Sequence, residues 1–280
     1  MKLCDLHTHS VFSDGTYTPT QLVEKAENIG LSAIVLSDHN TVDGLPEFIV
    51  AAKDKNIEAI PGVEFSVDYE GTELHLLALY VGENHFPTIT ELMEDFHKRK
   101  AQSNLDLICA LNNAGYHISF DDIRASTLNG KFNRAHIAAE LTKKGYTQSI
   151  KEAFSTLLSK KHGYYKEPQR PAIWEMLEVI KSIGAVPVLA HPFLNLKEDK
   201  LLTILPQAKK EGLIGMECYY PLYDEATTKK SLELAKCFGL LPSGGSDFHG
   251  SNKPDIFLGV GKGNLQIPLE WLQKLKEAAE

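Results

Sequence analysis

Cysteine is scarce in this sequence. The four cysteines stand far apart in 280 residues, with no Cys-x-x-Cys pair, which argues against a structural zinc site made of thiolates. Cys4, Cys109, Cys218 and Cys237 all lie in apolar stretches. We therefore expect four reduced, buried thiols and a reducing, cytoplasmic environment.

Long apolar runs and an excess of basic residues are also lacking. No segment approaches the roughly 18 apolar residues of a membrane span, and the first residues show no secretory signal pattern. There are 29 Lys and Arg against 37 Asp and Glu, a net charge of −8. This charge argues against duplex DNA and anionic membranes as partners. Divalent ions in one cleft would add local positive charge, which leaves a small phosphorylated substrate or short single-stranded RNA open.

The sequence does contain histidines and carboxylates that follow apolar, strand-like segments. Six of the eleven histidines occur in this context. Imidazole and carboxylate groups together are ligands for Mn²⁺, Fe²⁺ or Zn²⁺, so the pattern predicts a site for two to three divalent ions. The nine candidate ligands are His7, His9, Asp14, His39, Glu64, His75, His191, Asp247 and His249.

The spacing of these residues supports metal binding. His7 and His9 are two apart on a strand, so both side chains leave the same face, and Asp247 and His249 repeat that spacing. Glu64 ends a strand with a carboxylate that can bridge two ions about 3.5–4 Å apart. Taken singly, each candidate has an ordinary explanation as a hydrogen-bonded loop residue or helix cap, and Asp14 before Gly15 fits a turn.

Alternating strand and helix patterns predict the fold. We expect a distorted seven-stranded (β/α)7 barrel of parallel strands, interrupted by an inserted all-helical subdomain. The predicted ranges are 1–82 for the first part of the barrel, 83–165 for a helical insert that covers the active site, and 166–280 for the second part. Barrel chemistry is built at the carboxyl ends of the strands, where each candidate except His75 falls. Asp5 and Asp38, beside candidate ligands, are expected to support them.

The insert contains the candidate substrate-binding residues. Arg134 begins a predicted helix that Asn133 could cap, and this helix start suits a phosphate group. Arg99 lies in a Lys-Arg-Lys run. On charge pattern alone that run is typical of a solvated helix face, and Arg134 is typical of a surface arginine.

Several motifs resemble the PHP family, the polymerase and histidinol phosphatase metal-dependent phosphoesterases. They are Asp5-Leu6-His7-Thr8-His9-Ser10, Ser37-Asp38-His39, Pro61-Gly62-Val63-Glu64, His75, Ala190-His191-Pro192 and Ser246-Asp247-Phe248-His249. The segment Asn133-Arg134-Ala135-His136-Ile137-Ala138 is similar to the branch with nucleoside 3′,5′-bisphosphate phosphatases and 5′-to-3′ exoribonucleases.

The resemblance implies a trinuclear metal centre. His7, His9, Glu64 and Asp247 would hold one ion, Asp14, His39 and His249 a second, and His75 and His191 a third that Glu64 bridges. Relatives often have histidine at the position of Asp14, which bears on the affinity of the second ion. A hydroxide bridging the metals would attack phosphorus. Glu64, Asp247 and His249 are the catalytic candidates.

The expected reaction is hydrolysis of a phosphomonoester, the 3′-phosphate of a nucleoside 3′,5′-bisphosphate. A 5′-to-3′ exoribonuclease acting on short RNA is the main alternative, followed by a histidinol-phosphatase-like enzyme and a metal-bound module without catalysis. An amidohydrolase would share barrel and metals but usually needs a bridging carboxylated lysine, and no predicted strand end offers a lysine.

Overall fold

The computed structural model describes residues 2–127 and 132–279, which form two compact units. Residues 1, 128–131 and 280 of the predicted ranges lie outside the described residues. The first unit comprises 2–90 and 170–279 and contains the sheet. Its strands are β1 (Leu3–Asp5), β2 (Ala33–Leu36), β3 (Glu58–Tyr69), β4 (Thr72–Leu79), β5 (Val186–Ala190), β6 (Gly215–Tyr219), β7 (Leu241–Gly244) and β8 (Ile267–Pro268).

The helices of the first unit connect these strands. They are α1 (Pro19–Asn28), α2 (Leu45–Ala52), α7 (Ile173–Ser182), α8 (Glu198–Lys210), α9 (Glu225–Cys237) and α10 (Leu269–Glu277). Helix α1 begins as its sequence dictates. The Thr18 hydroxyl accepts the Gln21 N–H, and the Gln21 side chain accepts the Thr18 N–H, a capping box with Pro19 at the first helical position.

The sheet has the strand order β7-β6-β5-β4-β3-β2-β1-β8. The α/β barrel prediction is confirmed, but β4 runs antiparallel to both neighbours, and not parallel as expected. The reason is the two-residue turn Glu70-Gly71 between β3 and β4, where both residues have positive φ, 50° and 77°. Such a turn joins antiparallel strands. A short eighth strand, β8, also pairs antiparallel with β1.

The chain beyond β1 and β7 brings the two sides of the sheet together. Leu6 N–H donates to Gly244 O at 3.3 Å, and Asp247 N–H donates to His7 O at 2.9 Å. Gly245 is required at this junction, because a Cβ there would lie 2.6 Å from His7 N and closer still to His7 Cβ. The carboxyl ends of the parallel strands therefore surround one interior space. Buried residues of the strands form a hydrophobic core with Leu272 and Leu275 of α10.

The second unit, 91–169, has its own core. Its described secondary structure is helical: most of α3 (Phe86–Asn113), then α4 (Phe120–Ala125), α5 (Arg134–Lys143), α6 (Ile150–Ser155) and a 3₁₀ turn, Lys160–His162. Residues of α3 and α5, including Leu107, Leu111, Ile137 and Leu141, pack together in this core.

The cysteine prediction is correct in part. All four thiols are free, and Cys4 and Cys218 are buried. Cys109 and Cys237 are exposed, because they lie on the solvent side of α3 and at the end of α9, so their predicted burial is wrong. Among the described residues, no helix is long and apolar enough to cross a membrane.

Candidate metal centre

All nine predicted ligands lie in the first unit, on strands of the sheet or on the segments that follow them. Glu64, expected to end its strand, lies inside β3 and pairs with Leu77 of β4. His7, His39 and His191 follow β1, β2 and β5 within three residues. His75 lies inside β4, where it pairs with Ser66 and Ala190. Because β4 is antiparallel, its early residues lie at the carboxyl ends of its neighbours. The unexpected strand direction thus explains the one ligand that did not fit the strand-end pattern.

Glu64 is fully buried, and its two carboxylate oxygens face different histidines. Oε1 lies 2.7 Å from His75 Nδ1 and 2.9 Å from His191 Nε2. This carboxylate therefore connects two groups of imidazoles. On its other side, Oε2 lies 3.0 Å from His39 Nδ1 and 3.2 Å from both His7 Nε2 and His9 Nε2.

A second group of ligand atoms forms around His249. Its Nε2 lies 3.1 Å from Asp14 Oδ1, and its Nδ1 lies 3.4 Å from Asp247 Oδ1. Asp247 Oδ1 also lies 3.2 Å from His9 Nε2. Ligand atoms of four residues lie within 4.8 Å of one another here: His9, Asp14, His39 and His249. Asp14 therefore lies within reach of an ion shared with these three histidines.

The buried polar atoms of this cluster fit a cation. Asp14 Oδ1, His39 Nδ1 and Glu64 Oε2 are buried and make no hydrogen bond among the described residues. The Nε2 atoms of His7 and His9 are 3.0 Å apart. Unpaired acceptors that converge in a buried space are costly unless a positive charge satisfies them. Divalent ions with imidazole and carboxylate ligands meet that requirement.

The protonation of the cluster shows how strongly its groups interact. Burial alone lowers the pKa of His75, but the Glu64 carboxylate outweighs this and raises that pKa to about 10. Burial also lowers the pKa of His9, but hydrogen bonds to Asp247 and Glu64 outweigh this effect and raise that pKa to about 9. At His39 burial dominates, and the pKa falls to about 3. In the metal-free protein, protons on His9 and His75 therefore compensate the carboxylates.

The carboxylates respond in the opposite direction. Burial tends to raise the pKa of Glu64, but the neighbouring His7 and His75 hold it well below its usual value. The pKa of Asp14 is depressed in the same way, against burial, by His249 and His39. Both groups are thus ionised, as metal ligation requires.

Glu217 supports the cluster and was given no role by the sequence. It lies in the middle of β6, is fully buried, and its Oε1 lies 3.0 Å from His7 Nδ1. Its Oε2 accepts the His191 backbone N–H at 2.7 Å. A carboxylate on the far nitrogen of a ligand imidazole fixes the tautomer and ring orientation. The only sequence signal is a carboxylate within an apolar, strand-like segment.

Two further side chains contact Asp247. The Tyr220 hydroxyl donates to Asp247 Oδ2 at 2.7 Å, and Lys253 Nζ donates to the same oxygen at 2.6 Å. Burial tends to raise the Asp247 pKa, but Lys253 and His249 hold it well below its usual value. Neither contact was predicted, because nothing in the sequence around Tyr220 or Lys253 distinguishes them from other residues of these loops.

Asp5 and Asp38, the predicted supporting residues, contact serines of neighbouring loops. Asp38 accepts hydrogen bonds from Ser10 N–H at 2.8 Å and from the Ser13 hydroxyl at 2.6 Å. Asp5 accepts the Ser246 N–H at 2.8 Å and the Ser246 hydroxyl at 2.5 Å. These bonds fix the loops that carry Asp14 and Asp247, so the support acts on the backbone more than on the imidazole rings.

Two candidate ligands have unfavourable backbone conformations. His191 has φ of 26° and Asp247 has φ of 51°, both in the region that favours glycine. Such strain costs on the order of 1–3 kcal/mol per residue and is common at functional sites. The surrounding hydrogen bonds hold these residues in place, including the bonds from the His191 N–H to Glu217 and from the Asp247 N–H to His7 O.

The predicted substrate-binding residues lie in the second unit. The Asn133 side chain accepts the Ala135 N–H at 2.9 Å and caps α5, as expected. The Arg134 guanidinium lies 4.1 Å from the centre of the Tyr165 ring. Arg99 forms an exposed ion pair with Asp95 one helical turn away, at 3.1 Å. The Arg99 contact matches a solvated helix face, whereas Arg134 is held against an aromatic ring.

Comparison with known proteins identifies relatives along most of the chain. A family model described as "PHP domain" matches residues 5–184. A 5′-3′ exoribonuclease from Haemophilus influenzae is 32% identical over 253 residues, 89% of this chain and 90% of that protein. A phosphoribosyl 1,2-cyclic phosphate 1,2-diphosphodiesterase from Eggerthella lenta is 29% identical, covering 88% of this chain and 94% of its own.

Two further comparisons concern a phosphatase and a solved structure. A 3′,5′-nucleoside bisphosphate phosphatase from Chromobacterium violaceum is 26% identical over 88% of this chain and 86% of that protein. A crystal structure from Bifidobacterium adolescentis, assigned as a metal-dependent phosphoesterase, matches with a TM-score of 0.85 and 27% identity. That match covers 99% of this chain and 96% of the other.

Proposed function

This chain belongs to the PHP domain family and is a metal-dependent phosphoesterase, and from that premise we propose that it removes the 3′-phosphate from nucleoside 3′,5′-bisphosphates. The observation that carries the proposal is the position of Glu64, with each oxygen directed at a different set of imidazoles. One carboxylate so placed can serve two ions, which is the arrangement of hydrolases that cleave phosphate esters.

We propose three metal sites built from the nine ligands. Glu64, with His7, His9 and Asp247, would hold one ion. Asp14, His39 and His249 would hold a second, and His75 and His191 a third shared with Glu64. Bound there, divalent ions would neutralise charge on the phosphate oxygens and make a water nucleophilic near neutral pH.

The protein's own groups set the conditions for this chemistry. Six of the nine cluster residues are buried, so most of its charges interact through a low dielectric and are little screened. Asp247 and His249 lie between the ligand groups, with 3.4 Å between Oδ1 and Nδ1, and are proposed with Glu64 as the catalytic residues. Glu217 keeps the His7 ring oriented through Nδ1. Phosphoryl transfer needs mainly such positioning and charge stabilisation.

Support for the nucleoside bisphosphate comes from the C. violaceum relative and from the Asn133-Arg134 segment. The relative acts, by its name, on 3′,5′-nucleoside bisphosphates. An arginine can bind a phosphate through two parallel N–H bonds, and α5 offers its N-terminus at the same place. We propose Arg134, with Asn133 and Arg99, as the group that recognises the phosphate that is not cleaved.

A 5′-to-3′ exoribonuclease is the second candidate. The H. influenzae relative carries that name and shares 32% identity over nearly the whole chain. Both reactions would use the same metal ligands, because both cleave a phosphate ester next to a nucleoside. In both, water adds to phosphorus and the 3′-oxygen of a 5′-nucleotide leaves. They differ in whether the other product is inorganic phosphate or an RNA chain with a new 5′-phosphate.

The first experiment compares substrates with the Mn²⁺-loaded protein. The set is adenosine 3′,5′-bisphosphate, 5′-AMP, histidinol phosphate, a 1,2-cyclic ribose phosphate and a short 5′-phosphorylated RNA. We expect the highest kcat/KM for the bisphosphate, with 5′-AMP as product. Stepwise release of mononucleotides from RNA, with slow bisphosphate turnover, would move the assignment to the exoribonuclease.

Arg134→Ala tests the recognition of the second phosphate. We expect KM for adenosine 3′,5′-bisphosphate to rise about tenfold or more, because a charged hydrogen bond is worth about 1.5–3 kcal/mol. KM for a phosphate ester without a second phosphate, such as p-nitrophenyl phosphate, should change little. Arg124→Ala, in α4 of the same unit, serves as the control. Equal effects of Arg134→Ala on both substrates would reject its role.

A further inference from the structure

A pocket of about 310 Å³ lies beside Asp247 in the first unit. Its volume is at the lower end of the roughly 300–1,000 Å³ typical of small-ligand sites. Its polar lining comprises Ser246, the carboxylates of Asp247 and Asp255, and the ammonium groups of Lys253 and Lys262. The other lining residues are apolar or aromatic: Tyr220, Pro221, Leu222, Pro254 and Ile256.

Lys253 connects this pocket to the metal centre. Its Nζ donates to Asp247 Oδ2 at 2.6 Å, while Oδ1 of the same carboxylate faces His9 and His249. The ammonium is therefore one carboxylate away from the ligand atoms. The backbone fixes its position, because Lys253 N–H donates to Gly250 O and Lys253 O accepts the Ile256 N–H.

The Lys253 ammonium has donors to spare. An ammonium carries three N–H groups, and the hydrogen bonds of the described chain use one of them, to Asp247. The side chain is 38% exposed, so the remaining donors are open to a ligand. The Tyr220 hydroxyl donates a hydrogen bond to the same Asp247 oxygen, so that oxygen does not depend on Lys253 alone for a donor.

The charged residues of the pocket suit the phosphate of a nucleotide, and its apolar residues suit the nucleoside. Cationic donors next to a metal centre suit the oxygens of a phosphate. Apolar and aromatic walls suit a nucleobase and the carbon skeleton of a ribose. Leu222 is 55% exposed, so an apolar ligand placed against it would cover surface that otherwise contacts water.

We infer that Lys253 binds the phosphate that is cleaved and that the pocket beside it receives the attached nucleoside. The inference rests on the proposed function, because it assigns the substrate's orientation in that same centre. It places the nucleoside between the loop 220–222 and the loop 253–256 of the first unit.

Calorimetric titration of the metal-loaded protein with inorganic phosphate tests the role of Lys253. We expect Lys253→Met to weaken phosphate binding about tenfold or more and Lys253→Arg to restore most of it, because both cations can donate. Lys200→Met, which removes a lysine from an exposed ion pair with Glu70, is the matched control. Metal content is measured for every variant. Unchanged phosphate affinity in Lys253→Met at full metal content would overturn the inference.

A second titration tests the pocket. We expect adenosine 3′-methylenephosphonate, a non-hydrolysable analogue with its phosphorus group at the cleaved position, to bind more tightly than inorganic phosphate, and Leu222→Ser to remove much of that difference without weakening phosphate. Equal affinity of the two ligands for the unmodified protein would overturn the assignment of the pocket. Neither titration requires turnover. If phosphate binding depends on Lys253 but no nucleoside bisphosphate is hydrolysed, the proposed function fails and the Lys253 assignment stands.

Discussion

At the scale of single residues, Glu64 carries more of the centre than any other side chain. A histidine contributes one nitrogen to one ion, whereas this carboxylate presents Oε1 to His75 and His191 and Oε2 to the opposite group. Loss of Glu64 should therefore affect more than one metal site. Loss of His75 should affect one.

We expect Glu64→Gln to lower the metal content by about two ions per chain and His75→Gln by about one. The amide keeps the shape of the carboxylate but loses the negative charge that metals require. Elemental analysis of the purified, dialysed variants measures the difference, and circular dichroism checks that both are folded. Equal metal content in the two variants would show that Glu64 does not bridge.

At the scale of elements, the junction between the chain after β1 and the chain after β7 positions the ligands of two strands. The residue Gly245 lies against His7, and Asp247 N–H bonds to His7 O in the same stretch. A side chain at position 245 would push these strand ends apart. The two ligand pairs of the sequence pattern would then no longer face one another.

Gly245→Ala should destabilise the protein by about 1–3 kcal/mol, the usual cost of overpacking a tight contact. It should also lower metal affinity, since His7 must shift. Gly82→Ala is the matched control, because its new Cβ would meet the end of the flexible Asn84 side chain and not the backbone. Denaturant unfolding and metal titration report the two effects. A loss of stability in Gly82→Ala as large as in Gly245→Ala would contradict this account.

At the scale of the whole molecule, metal and protons compete for the same cluster. The pKa of His9 is about 9 and that of His75 about 10 in the metal-free protein, both above the ordinary 6.5 of histidine. Protonated histidines thus contribute stability that is present below about pH 6.5. That contribution falls as pH rises toward 9 and 10, because the unfolded chain has already released its protons.

Chelation should therefore change how stability depends on pH. Between pH 7 and 8.5 we expect Tm of the metal-free protein to fall, since His9 and His75 stay protonated only when folded. The metal-loaded protein should not show this fall, because metals bind neutral imidazoles. Scanning calorimetry of both forms at the two pH values makes the comparison. Parallel changes in Tm would mean that these histidines do not carry the protons.

Chelation should also abolish hydrolysis of every substrate tested, and Mn²⁺ should restore it. Metal removal leaves the converging carboxylates of the cluster without their cations, so Tm should drop as well. Activity is followed as phosphate release, with elemental analysis to confirm that the metal is gone. Full activity in a sample free of metal would exclude the proposed mechanism.

Much of the fold could be predicted from local patterns in the sequence. The capping box at Thr18 and Gln21 sets the start of α1, and the apolar run 33–36 forms the buried strand β2. The α/β alternation and the helical character of the insert follow from the same kind of pattern. These features depend on neighbours within a few residues, which is why a single sequence contains them.

The candidate ligands could also be identified from the sequence. Residues i and i+2 of a strand lie on the same face, and this does not depend on the tertiary structure. The sequence thereby determined the ligand types and the α/β barrel. It did not determine the direction of β4, which depends on the two-residue turn Glu70-Gly71. Nor could it indicate Glu217, Tyr220 or Lys253, since each acquires its role from residues far along the chain.

Only the tertiary structure decided which ligands share a neighbour. His7 and Glu217 are 210 residues apart in sequence, and His191 and Glu64 are 127 apart, yet their side chains lie within hydrogen-bonding distance. Closure of the sheet brings them together, and the pairing of strands that are distant in sequence sets the resulting distances and charges. Local sequence preferences do not include contacts between residues so far apart in the chain. The sequence therefore determined which candidate ligand side chains are present, and the fold determined which of them lie together.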